Sequence, residues 1–67
     1  MKVRYDREVD AAYIGLSSKR PRAGVELEKG VVLHLTEDGK IVGIEILGAS
    51  KRFPVRNLFT LDAAGKG

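Results

Sequence analysis

The chain has 67 residues, with 12 basic and 9 acidic side chains and a net charge of +3 at neutral pH. This length makes one small domain with a marginal core, because a chain of this size buries only about 60% of its unfolded surface. The absence of cysteine excludes disulfides and thiolate metal sites, and the lone histidine, His34, cannot form a histidine cluster. We therefore expect a protein without cofactor or metal, stabilised by self-association or by a partner.

Two basic ends flank an acidic middle. Residues 1–23 carry six basic and three acidic side chains, residues 24–48 carry two and five, and residues 49–67 carry four and one. A nucleic-acid surface is compatible with this pattern, but no aromatic-rich basic stripe accompanies it. No stretch approaches the roughly 20 apolar residues of a membrane span and no signal peptide opens the chain, so we expect a soluble cytoplasmic protein with no membrane partner.

The first predicted element is a β-hairpin with a four-residue connection, which pairs Tyr5 with Ala12 on an apolar face. Asp6 and Asp10 bracket the turn. We expect their carboxylates to accept hydrogen bonds from nearby backbone N–H groups and not to bind calcium, which needs a longer series of ligands. The stretch "SSKRPRAG" follows as a loop, in which Pro21 interrupts any strand.

A second hairpin follows in "VELEKGVVL". A three-residue loop that ends at a left-handed Gly30 pairs Leu27 with Val31 and Val25 with Leu33. All four apolar residues then share the buried face of the sheet.

A third hairpin is predicted at Asp38-Gly39, a favoured pair for a two-residue type I′ turn in which both residues have positive φ. This turn places Leu35 opposite Val42, and it aligns the apolar residues of both strands on one side. A slip of one residue would destroy this agreement.

Together the hairpins predict a mainly β (α+β) fold: a five-stranded antiparallel β-meander with one apolar face and a short C-terminal helix. The strands are expected over residues 1–6, 11–17, 24–28, 31–36 and 41–47. The helix is expected over residues 54–61, where apolar residues recur at near-helical spacing, and a sixth strand is the alternative. The domain then covers residues 1–61, and residues 62–67 form a frayed tail.

Two sets of residues are candidates for contacts with partners. If the basic loop and the basic tail lie at the same edge of the sheet, six cations gather there for phosphates or for an acidic protein. These candidate partner-binding residues are Lys19, Arg20, Arg22, Lys51, Arg52 and Arg56. Apolar tail residues are candidate dimer contacts, since one short helix covers about half of a five-stranded sheet. They are Phe53, Val55, Leu58 and Phe59.

His34 is the one histidine of the chain, and it is predicted on the outer face of the sheet. Glu45 lies one diagonal step away in the predicted register, within reach of contact. No cysteine, second histidine or aligned serine accompanies them, and no phosphate loop, dinucleotide fingerprint or nucleophile elbow is present. We expect no catalytic residues and a protein that is not an enzyme.

Two stretches, "KVRYDREVDAAYIGLS" and "ELEKGVVLHLTEDGKIVGIEILGASKR", resemble the prokaryotic domain-of-unknown-function family 2283. Its members show a Tyr-Asp pair, acidic residues, an Ala-rich strand, a Gly-Val-Val strand and a Gly-x-Ile-Val-Gly-Ile-Glu-Ile-Leu strand closed by Ala-Ser. Here Tyr5 begins this motif and Ala49 with Ser50 close it, while Gly48 stands where the family usually has Asp. The likeness covers about residues 2–52.

The resemblance implies an uncharacterised protein without assigned catalytic residues. Some members resemble the antitoxin half of toxin–antitoxin pairs, which implies a protein that dimerises and covers a toxin with its tail. The net positive charge departs from the acidic character of antitoxins that neutralise basic toxins. We expect a dimerising, antitoxin-like interaction module whose partners are a second copy and a small toxin-like protein. The alternative is a basic protein that binds nucleic acid.

Overall fold

The structure is a computed structural model that describes residues 1–65, with the side chains of residues 1–60. Five strands form one antiparallel sheet: β1 (Lys2–Asp6), β2 (Ala11–Gly15), β3 (Ala23–Glu28), β4 (Val31–Leu35) and β5 (Ile41–Leu47). A short 3-10 helix at Ala49–Lys51 and the helix α1 (Arg56–Gly65) follow. The predicted mainly β fold, an antiparallel sheet with a C-terminal helix, is confirmed, and the tail forms no sixth strand in the described residues.

The strand order differs from the predicted meander. The strands lie in the order β1-β2-β5-β4-β3, so the connection over residues 16–22 crosses to the far edge of the sheet. The reason lies in β5, where Ile44 and Ile46 pair with Ile14 and Ala12 of β2 on one side and with β4 on the other. The longest strand thereby occupies the centre, where neighbours pair with both of its edges. The meander prediction holds for the last three strands and is wrong for the step from β2 to β3.

The N-terminal hairpin has the predicted register, with Tyr5 opposite Ala12. The Oδ1 atom of Asp6 accepts a hydrogen bond from the N–H of Glu8 at 2.9 Å, which confirms its role in the turn. Among the described residues, no group of three or more His, Cys, Asp or Glu side chains is arranged to hold a metal ion.

The hairpin between β3 and β4 turns at a left-handed Gly30 with φ of 85°, as predicted. Val25 lies opposite Leu33 as expected, but the register shifts beyond it, and Leu27 does not pair with Val31. Leu27 lies in this irregularity and is 59% exposed. Val25 is 45% exposed as well, so the prediction that Val25 and Leu27 are buried is wrong.

The turn between β4 and β5 contains three residues instead of two. Thr36 and Lys40 close it: the N–H of Thr36 donates to the carbonyl oxygen of Lys40 at 2.8 Å, and the N–H of Lys40 donates to Thr36 Oγ1 at 2.9 Å. Gly39 has a positive φ of 86°, but Asp38 does not. The type I′ prediction is wrong, because a three-residue turn needs the left-handed conformation at its last residue alone.

A register shift in this hairpin changes one predicted pair, since Leu35 lies opposite Ile41 instead of Val42. Val42 is 2% exposed, and its carbonyl oxygen accepts hydrogen bonds from the N–H groups of Leu16 and Ser17, at 2.8 and 3.0 Å. These two hydrogen bonds tie the start of the crossing loop to the central strand.

The core lies between the tail and one face of the sheet, which we call the inner face. Leu58, 4% exposed, packs with the buried Ala12 and Ala49. Partly buried residues surround them: Val3, Tyr5, Ile14, Ile46, Phe53 and Val55. No described residue of β3 or β4 belongs to this cluster, so the described side chains of the tail cover about half of the inner face.

Helix α1 begins two residues later than predicted and runs four residues further. Pro54 and Val55 form a turn ahead of it, and their carbonyl oxygens accept hydrogen bonds from the N–H groups of Asn57 and Leu58, both at 3.0 Å. The predicted frayed tail, residues 62–67, overlaps the end of this helix. The side chains of the tail and its last two residues lie outside the described part of the chain, so the fraying stays a prediction. In the described part of the chain, no helix is long and apolar enough to cross a membrane.

Candidate functional site

The carboxylate of Asp10 joins the two ends of the motif seen in the sequence. Its Oδ1 accepts hydrogen bonds from the Tyr5 hydroxyl at 2.6 Å and from the N–H of Ser50 at 3.0 Å, and its Oδ2 accepts one from the Ser50 hydroxyl at 2.8 Å. The carbonyl oxygen of Asp10 accepts the N–H of Ala49 at 3.0 Å. We call these four residues the Asp10 latch.

Local conformation brings the parts of the latch together. Asp10 has a positive φ of 53°, a conformation that Asp tolerates better than most residues. Gly48, with φ of 63°, reverses the chain after β5, and Ala49 is fully buried beside it. The sequence placed Asp10 in its turn but missed Ser50, a partner 40 residues away. The Ala-Ser pair that closes the family motif was the available signal.

The latch has a clear electrostatic character. The hydrogen bond from Tyr5 and the two from Ser50 favour the ionised carboxylate and lower the pKa of Asp10. The same contact raises the pKa of Tyr5, because a phenolate would lose the hydrogen bond and lie against the carboxylate. A carboxylate that accepts three hydrogen bonds from neutral donors serves as an anchor, and here it fixes the start of the tail to the β1–β2 turn.

The predicted contact between His34 and Glu45 is confirmed. His34 Nε2 lies 3.2 Å from Glu45 Oε1, and both side chains are partly exposed on the outer face. The Tyr13 ring meets the imidazole edge-on, with centroids 5.8 Å apart and planes at 62°. Tyr13 was not predicted as a site residue, although the predicted register already placed it on the same face as His34.

The six candidate cations do not gather at one surface. Lys19, Arg20 and Arg22 lie in the crossing loop, beside the turn between β4 and β5. The tail cations follow the opposite end of β5. Arg52 is engaged there: its Nη1 lies 3.1 Å from Glu28 Oε1, and its other nitrogens donate to the carbonyl oxygens of Leu47 and Lys29. The structure therefore separates the predicted cluster into two smaller ones.

The four candidate dimer contacts differ in how far their side chains are buried. Leu58 is buried against its own sheet, and Phe53 and Val55 pack partly against the same cluster. Phe59 is 53% exposed. Phe59 is thus the member of this set whose side chain is mainly open to a partner.

Two archaeal proteins are similar to this chain. A Methanosarcina mazei protein named "Putative hypoxanthine phosphoribosyltransferase" is 42% identical over 52 residues, which are 78% of this chain and 42% of that protein. An uncharacterised protein of Methanocaldococcus jannaschii is 33% identical over 72 residues, with 98% of this chain and 61% of that protein covered. The chain thus spans less than two thirds of the length of these relatives. No solved structure matches it.

A family model described as "Protein of unknown function (DUF2283)" matches residues 2–50. This stretch contains all five strands and the whole of the Asp10 latch, and it ends at Ser50, before helix α1 begins. Tyr5 and Ser50, at the two ends of the family motif, therefore meet at Asp10 and close the fold of this chain. The match covers most of the chain, and the chain belongs to this family of proteins of unknown function.

Proposed function

We propose that this protein is a small, non-enzymatic interaction module that forms a homodimer through the uncovered half of its inner sheet face. We call this surface the open half-face; it consists of Val25, Val31, Leu33 and Leu35. One observation carries the proposal: these apolar residues share the face that α1 covers elsewhere, yet they lie outside the core cluster. Val25 is 45% exposed, and Val31, Leu33 and Leu35 are half-buried.

The total accessible area supports association. The chain exposes 4939 Å². A compact monomer of 7.3 kDa exposes about 4,200 Å² on the usual scaling of area with mass. The excess is close to the roughly 800 Å² per partner that a stable protein interface buries. One such interface would bring the exposed area per chain to the value expected for its mass.

A second copy is the partner that this surface fits. An apolar strand surface is complementary to itself, and two such sheets stack about 10 Å apart with their strands nearly aligned. A two-fold axis then satisfies both copies with the same contacts. Among the described residues, Leu58 is the one large, well-buried side chain of the core cluster, which leaves a single chain little apolar burial to offset its conformational entropy.

Sedimentation equilibrium between 1 and 100 µM tests the proposal. We expect the wild type to be a dimer and Val25→Lys to be a monomer, because the charge would be buried in the interface. Val25 is already exposed in the single chain, so the substitution leaves its fold intact. Val9→Lys, at an apolar turn residue that is 64% exposed, is the matched control and should remain a dimer. A wild type that is monomeric at 100 µM, or equal behaviour of the two variants, would contradict the proposal.

Salt distinguishes this function from nucleic-acid binding, the alternative that the net charge of +3 suggests. An apolar interface persists as the salt concentration rises, whereas binding through phosphates weakens steeply. The antitoxin-like role rests on the family resemblance, and its test is co-purification with a small toxin-like protein encoded next to this one. The match covers 42% of the Methanosarcina relative, so the name of that protein supplies no activity for this chain.

A further inference from the structure

The outer face of the sheet carries a cleft of about 740 Å³, opposite the surface that the proposed dimer uses. It is bounded by β1, β2 and the loop that leaves β2. Sites for small organic molecules commonly measure 300–1,000 Å³. The cleft therefore has the size of a ligand site.

The Tyr13 ring forms the floor of this cleft. A Cβ added to Gly43 would lie 2.5 Å from Tyr13 Cζ, and one added to Gly15 would lie 3.4 Å from Tyr13 Cε2. The ring thus rests on the bare backbone of two adjacent strands. His34, held by Glu45, supports its edge. Tyr13 is half-buried, and it lines the cleft together with His34.

The rim of the cleft is cationic. Lys2, Arg4 and Lys19 line it, and none of the described residues that line it is acidic. These three cations form no ion pair with any described residue. Glu45, which lies opposite Tyr13 in the sheet, is paired with the imidazole and does not line the cleft. The described residues that line the cleft therefore supply three cations and no carboxylate, while Asp38 lies near Lys19 outside it.

We propose that the cleft binds a free nucleoside monophosphate, with its base against Tyr13 and its phosphate among the rim cations. An aromatic side chain stabilises a nucleobase through stacking, and guanidinium and ammonium groups bind phosphate through charge-assisted hydrogen bonds. Neither feature alone selects this ligand; their combination in one cleft does. The terminal nucleotide of a single strand has the same chemistry, so the experiment separates the two sources.

Isothermal titration calorimetry of the full chain with AMP, adenosine, inorganic phosphate and a pentanucleotide distinguishes a free nucleotide from a strand end. We expect saturable binding of AMP, and binding at least about tenfold weaker for adenosine and for phosphate, because each lacks one of the two contacts. No binding of AMP at 5 mM would overturn the proposal. A pentanucleotide that binds more than about tenfold more tightly than AMP would overturn it in favour of a strand end.

Matched variants locate the site. Arg4→Gln/Lys19→Gln removes two rim cations, and Arg7→Gln/Lys29→Gln removes the same charge at turns outside the cleft. We expect a loss of AMP affinity of about tenfold or more in the first and less than about twofold in the second. Tyr13→Phe should retain binding and Tyr13→Leu should lose it, with circular dichroism to show that each variant is folded. Equal losses in the two double variants would overturn the proposal, since net charge alone would then explain the binding.

Discussion

Replacing Gly43 with alanine tests how closely the strands meet beneath Tyr13. A Cβ at this position would lie 2.5 Å from Tyr13 Cζ and 2.8 Å from the carbonyl oxygen of Ile14. The ring can swing aside, but the carbonyl belongs to β2, the hydrogen-bonded neighbour of β5, so the two strands must shift. We expect Gly43→Ala to lower the free energy of unfolding by about 1–3 kcal/mol, the range for overpacking. In a domain of this size, each kcal/mol lowers the melting temperature by about 4–8 °C.

Gly15→Ala is the matched control, because Gly15 lies directly opposite Gly43 in the sheet. Its Cβ would approach no atom closer than 3.4 Å, and its φ is not positive. This variant should be neutral or more stable by up to about 1 kcal/mol, since alanine restricts the unfolded chain. Thermal unfolding followed by circular dichroism measures both variants. A melting temperature of Gly43→Ala at or above that of the wild type, or equal decreases in both variants, would refute the close packing of β2 and Tyr13 against Gly43.

Two further predictions concern the turns. The pKa of Asp10 is lowered in the folded state, so the stabilisation from its ionised form is complete above the unfolded value of about 3.9 and is lost as the pH falls through the folded value. As the pH is lowered from 7 to 2, the melting temperature of Asp10→Asn should fall less steeply than that of the wild type. The pH dependence that remains in the variant includes Asp38, because the Thr36 hydroxyl lowers the pKa of that carboxyl. Gly39→Val should cost about 1 kcal/mol or more, because φ is 86° there, and should exceed the cost of Asp38→Val, whose φ is not positive. Equal losses in the free energy of unfolding at the two positions, measured by urea unfolding, would indicate a type I′ turn and contradict the three-residue turn.

Local chemistry was sufficient to predict most of the hairpins. Alternation of apolar residues fixed the pairing of Tyr5 with Ala12, and the two left-handed glycines were recognised at Gly30 and Gly39. The errors lie within one or two residues of the turns. A bulge or a third loop residue costs little energy in isolation, so the choice between turn types depends on hydrogen bonds such as those of Thr36, which alternation does not reveal.

The order of the strands could not be derived in the same way. A meander and the observed order use the same hairpins, and they differ in whether β3 or β5 becomes the neighbour of β2. The deciding interactions are long-range: Ile44 opposite Ile14, and Ser50 bonded to Asp10. The crossing loop was visible as a Pro-containing stretch, but its length is compatible with either connection.

The Asp10 latch fixes the point at which the tail begins. It binds Ser50 to the β1–β2 turn, so any segment that follows Ser50 begins at the same end of the inner face. How much of that face is covered then depends on the segment itself. In this chain, Leu58 reaches the cluster formed by β1, β2 and β5, and no described residue of β3 or β4 belongs to that cluster. The family model covers the sheet and the latch and ends before α1. The open half-face, and with it the proposed dimer, is therefore a consequence of the tail and not of the sheet that the family shares.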